Sequence, residues 1–172
     1  MSLGPNINAA MDPKVEPRAV EAMQKATARL SQATARERAY VEALAARYSA
    51  KKSVTRKAKD EAYAKAMRQV AREAPDDADA ATIAAEAMMV LRPWDYWRAD
   101  GRPQPGTEEI LAILEAALRQ HPDHPGACHY YIHAVEASPD PQRALDCAKR
   151  LPSLMPGAGH LVHMPAHIYM RL

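Results

Sequence analysis

The chain has 172 residues, 48% of them hydrophobic, with a formal net charge of +2. That length suffices for one domain with a continuous buried core. Two cysteines, Cys128 and Cys147, do not make a disulfide framework, and no stretch approaches the ~20 apolar residues of a membrane span. The charge is unevenly placed: residues 1–74 hold 15 Lys/Arg against 8 Asp/Glu, and residues 75–172 hold 8 against 13. The basic half has no interleaved aromatic platform, so its charges read as a solvated helix face and no nucleic-acid partner is expected.

Good helix formers dominate, phenylalanine is absent, and no segment alternates apolar and polar residues as a strand does. The 14 prolines fall mostly between apolar-periodic segments, which marks them as punctuation between short helices. In chain order the pattern predicts helices over 14–32, 35–49, 54–74, 78–91, 107–120, 125–137, 141–151 and 158–171. Asp140-Pro141 and Thr107-Glu108-Glu109 are the expected N-terminal caps of their helices. Pro165 stands inside the last of these segments. It has no N–H to donate and must kink that helix or start a new one.

The prolines also carry a repeat. Pro122, in His121-Pro122-Asp123-His124-Pro125, and Pro156, in Met155-Pro156-Gly157, lie 34 residues apart. Pro75 lies 47 before Pro122, a surplus of 13 that one insertion over residues 92–106 explains. Helix pairs at this period stack, because one pair cannot bury its apolar stripe alone.

This period resembles the tetratricopeptide repeat. Small residues expected inside the helices are met at Ala85, Ala166 and Ala144, and a late aromatic at Tyr169. Ile132 and Ile110 depart from the pattern. The stretches 124–138 and 159–169 are similar to a group of bacterial tetratricopeptide proteins with His-rich repeats, for which no activity is assigned. The resemblance implies an all-α helical-repeat solenoid of antiparallel helix pairs, a tetratricopeptide-like superhelix, over residues 1–172. The opening Met1-Ser2-Leu3 looks like an added leader, and the last helix is still running at Leu172. A piece of a longer protein is therefore expected, and without a signal-peptide pattern the compartment is left open.

All seven histidines follow residue 120. His121 and His124, in a Pro-rich turn, read as surface or capping residues. The others recur at fixed offsets from the repeat prolines. Four residues on come Asp79, Gly126 and His160; seven on, Thr82, His129 and His163; eleven on, Glu86, His133 and His167; fourteen on, Met89, Glu136 and Met170. Such offsets share one helix face. In the tetratricopeptide family that face lines the concave groove, so the resemblance implies that Glu86, His129, His133, Glu136, His160, His163 and His167 line one surface.

Two imidazoles one turn apart can share a metal ion, as His129 with His133 and His163 with His167. With a carboxylate such set suits Zn²⁺, Ni²⁺, Cu²⁺ or Fe²⁺. In the insertion, Trp94 and Trp97 either cap the groove over a ligand or anchor the loop to the flank. The leading expectation is a binding module for a protein or peptide segment, with no cofactor. The first alternative is a metal-binding or metal-dependent enzymatic domain, with a divalent transition metal on His129, His133, His163 and His167. The second is a structural fragment that forms homo-oligomers through apolar surface at its end, at Ile168 and Leu172.

Overall fold

The computed structural model of the chain describes residues 4–49 and 53–172. Its α-helices are α1 (Glu16–Thr27), α2 (Ala35–Arg47), α3 (Arg56–Glu73), α4 (Ala78–Val90), α5 (Thr107–Gln120), α6 (Pro125–Val135), α7 (Leu145–Leu154), α8 (Gly159–His163) and α9 (Pro165–Tyr169). Short 3-10 turns, Leu30–Gln32 and Pro141–Ala144, precede α2 and α7. The fold is all-α, with no β-strand among the described residues. Consecutive helices pack against one another from α1 through α7, and α7 holds α8 and α9. Helices two apart also meet, α4 with α6, and α9 reaches α6. No helix among the described residues is long and apolar enough to cross a membrane.

Local chemistry sets most boundaries. Thr34 and Glu37 form a reciprocal capping box at α2: the Thr34 hydroxyl accepts from Glu37 N–H at 3.2 Å, and the Glu37 carboxylate accepts from Thr34 N–H at 2.8 Å. Thr55 and Asp77 cap α3 and α4 in the simpler way. At α6 the cap is an imidazole. His124 Nδ1 accepts from the Ala127 N–H at 3.0 Å, which leaves Nε2–H to face Asp79 Oδ1 at 3.1 Å.

Two segments and two caps depart from the sequence expectation. The segment expected as one helix over 14–32 stops at Thr27, whose hydroxyl donates back to the Met23 carbonyl at 2.9 Å, and a 3-10 turn follows. The segment expected as one helix over 158–171 is two short helices joined at Met164, because Pro165 cannot continue the backbone ladder. The expected caps also differ. Gly106, at φ 92°, occupies the cap position of α5, and the Thr107 hydroxyl instead donates to the Tyr96 carbonyl at 2.7 Å. Asp140 opens a 3-10 turn and makes no side-chain cap bond.

Two apolar clusters form the core. Tyr63, Met67 and Val70 of α3 meet Ala43, Ala80 and Ala84 in one. Met89, Leu114, Ile132, Leu151, Met164 and Ile168 lead the other. Helix α4 serves both, and its Ala80, Ala84, Ala85 and Ala87 are all fully buried. Small side chains there let neighbours approach on two sides. The approach of α6 is close: a Cβ on Gly126 would lie 3.1 Å from Thr82 Cγ2. Ile168, expected at an exposed end, is buried in the core because α9 folds back on α6 and α7; Leu172 and Met170 are exposed.

The inserted loop is a small folded unit. Trp97 and Pro103 form an isolated bridge, Gln104 N–H donates to the Tyr96 carbonyl at 2.9 Å, and the Trp97 indole N–H donates to the Ala134 carbonyl at 2.7 Å. The Thr107 hydroxyl is buried in this knot. Thr107→Val keeps its volume and leaves the Tyr96 carbonyl one partner short, so a loss of about 1–3 kcal/mol is expected. Urea unfolding of the two proteins measures it.

Candidate metal centre

Helix α6 places His129 and His133 one turn apart on the face toward α8 and α9. Those two short helices are pinned by Met164 and Ile168, both fully buried in the core. Burying such a side chain contributes roughly 1.5–3 kcal/mol, which offsets part of the cost of ordering these short elements. His160 and His163 lie in α8 and His167 in α9, so the Pro165 break falls inside the cluster without dispersing it.

The cluster is held by hydrogen bonds. His129 Nε2 and His160 Nε2 are 3.0 Å apart. His133 Nδ1 lies 3.0 Å from Glu136 Oε1. The other Glu136 oxygen bonds His167 Nδ1, and His167 Nε2 is 3.2 Å from His163 Nε2. An ionised Glu136 can only accept, so His133 and His167 each present Nδ1–H to it. The remaining nitrogen of His133, Nε2, then carries a lone pair. It is buried and has no hydrogen-bond partner among the described residues. The His133 side chain is 1% exposed, so this nitrogen is cut off from water. The Trp94 ring stands perpendicular to the same imidazole, 4.9 Å between centroids.

Two sets of donor atoms lie close enough to share an ion. In each of His129, His133, His160 and His133, Glu136, His167, the ligand atoms are within 4.8 Å of one another. The sequence had grouped His129 and His133 with His163 and His167. In the structure His160 faces His129, and His163 touches the cluster through His167.

Electrostatics favour a neutral imidazole at His129 and at His160. Burial pushes His129 down to about 3, and the neighbouring His133, His160 and His167 add to the effect. His160 is lowered by the same causes. Burial raises Glu136, but the hydrogen bonds from His133 and His167 outweigh it and leave the carboxyl below its ordinary value.

His129 and His160 also line a cavity of about 810 Å³. Glu86, Tyr130, Arg47 and Tyr48 share its wall, and residues 4–8 of the N-terminal segment close one side. Glu86 thus joins the two histidines at the cavity and not within the hydrogen-bonded cluster. Burial pushes its carboxyl up to about 7, with Arg47 pulling the other way. Trp94 and Trp97 divide the two roles considered for the insertion: Trp97 anchors the loop to α6, and Trp94 abuts the site. Arg47 and Ile7 carried no signal in the sequence, since one sits at the end of a charged helix and the other is a lone apolar residue without periodicity.

The neutral state of His129 links the site to stability. In the unfolded chain this imidazole takes its proton near 6.5, and in the folded chain near 3. Below about pH 6.5 the unfolded state therefore binds more protons, and stability falls as the pH drops from there toward 3. Urea unfolding of chelator-treated protein at pH 7.5 and pH 5 is expected to show this loss, and His129→Gln a smaller one. Equal losses in both proteins would contradict the assignment.

No family model, no curated protein and no solved structure matches this chain.

Proposed function

We propose that this protein binds a divalent first-row transition metal ion through the imidazoles of His129, His133 and His160. The observation that carries this reading is the buried, unpartnered Nε2 of His133, in a residue that has one ring nitrogen within 4.8 Å of ring nitrogens of His129 and His160. A buried polar nitrogen without a partner costs free energy that a metal bond would recover. Three neutral nitrogen donors suit Zn²⁺, Cu²⁺, Ni²⁺ or Fe²⁺. Glu136 fits the outer-shell role: its bond to His133 Nδ1–H fixes the tautomer and raises the basicity of Nε2. His167 and His163 extend that shell. Three protein ligands leave a coordination position open, and His129 and His160 stand in the cavity wall. Such a position admits water or a substrate atom, which makes metal-assisted hydrolysis the chemistry within reach.

Zinc titration of protein purified without an affinity tag tests the reading. One equivalent is expected to bind, with at least a 100-fold loss of affinity in His133→Ala. Glu136→Gln is expected to lose about 10–100-fold, and His163→Ala less than either. Absence of zinc binding in the folded wild-type protein would sink the proposal.

A second reading keeps the tetratricopeptide-type groove for an extended protein segment. It is favoured by the chain itself: residues 4–11 lie along the helices without helical structure, and Ile7 is 3% exposed in the cluster with Ala85, Met89 and Tyr96. A peptide of residues 4–12 is expected to bind a folded chain that lacks them, as measured by fluorescence anisotropy. Failure to bind would remove this reading.

A further inference from the structure

The cavity lined by His129 and His160 has a second polar region built on Arg47. This residue is 5% exposed and its guanidinium lies over the Tyr63 ring, 4.3 Å from the centroid. Its Nε donates to Asp60 Oδ1 at 2.9 Å, and its Nη2 has no partner among the described residues. Asp60 is not held by Arg47 alone, because Arg56 Nε donates to the other oxygen at 3.1 Å. Arg56 and Lys59 in turn share Glu16. Three cations therefore share two carboxylates among the described residues, and Arg47 Nη2 is left without a partner there. Glu86 also lines the cavity without a hydrogen bond to Arg47; burial raises its carboxyl to about 7, and Arg47 pulls it the other way. A buried guanidinium donor left without a partner is costly, and a carboxylate oxygen relieves it. The other side of the cavity is apolar, with Ile7, Ala22, Met23 and Leu44.

We propose that this cavity binds a small organic carboxylate, with its apolar body against Ile7, Ala22, Met23 and Leu44 and its carboxylate on Arg47. The volume of about 810 Å³ is that of a small-molecule site. A planar guanidinium matches a carboxylate better than an ammonium does. The site goes beyond the metal centre and stands without it, since Arg47 is not among the candidate ligands.

Calorimetric titration of the full chain with octanoate, 1-octanol and octylamine tests it. Octanoate is expected to bind one per chain, at least tenfold more tightly than either the alcohol or the amine. Ala22→Trp fills the cavity from the exposed face of α1 and leaves the charge network untouched. It is expected to weaken octanoate at least tenfold at an unchanged melting temperature. Arg47→Lys keeps the charge and loses the Nη2 donor, and is expected to weaken it as well. No octanoate binding, no preference over octanol, or full binding by Ala22→Trp would each overturn the proposal. Each titration is run on zinc-loaded and on chelator-treated protein. Zinc uptake without octanoate binding overturns the cavity proposal alone; octanoate binding without zinc uptake upholds it and overturns the metal centre alone.

Discussion

One carboxylate, that of Glu136, ties the end of α6 to the last helix. Its two oxygens are divided between His133 on its own helix and His167 on α9. Helix α9 has five residues and cannot persist by its own hydrogen bonds. It persists because Ile168 is buried on one side and His167 is tied to Glu136 on the other. The same carboxylate dictates which nitrogen of His133 keeps its proton. Position and tautomer at His133 thus have a common origin, and the burial this packing creates favours neutral imidazoles at His129 and His160.

How much of this is written in the sequence varies with the range of the interaction. Helix α5 coincides with its expected span, since its apolar residues recur at helical spacing between Gly106 and the Pro122 turn. The break in the last segment was signalled by Pro165, a purely local cue. The pairing of His129 with His133 is equally local, one turn apart on α6. The partnership of His129 with His160 is not. It depends on how α8 is carried across α6 by the burial of Met164 and Ile168, and no spacing rule encodes that. A repeat offset aligned His163 with His129, yet the shortness of α8 and the joint at Met164 put His160 there instead. Arg47 and residues 4–8 come from the far end of the chain, and only the folded packing brings them to the cavity.

The two polar regions around the cavity handle charge in opposite ways. In the histidine cluster burial favours the neutral form of His129 and His160, and Glu136 is the carboxylate bonded to its imidazoles. The Arg47 network keeps its charges and pairs them unevenly, with aromatic cover from Tyr63. Between them stands Glu86, whose carboxyl burial brings close to the switching point near pH 7. The cavity thus has a lone-pair-rich side and a cationic side, with apolar wall between them.

The backbone of Trp94 adds an optical consequence. Its φ of 63° is the one left-handed value at a non-glycine among the described residues, a conformation that bulky side chains adopt only when their surroundings hold them there. What this conformation achieves is a half-exposed indole, 48% accessible, perpendicular to the His133 ring, while the other indole is fixed to a carbonyl of α6. The chain therefore carries its own fluorophore beside the cluster. Protonated imidazole and paramagnetic ions both quench indole emission at contact distance, so the light emitted by Trp94 reports the state of His133 without any label.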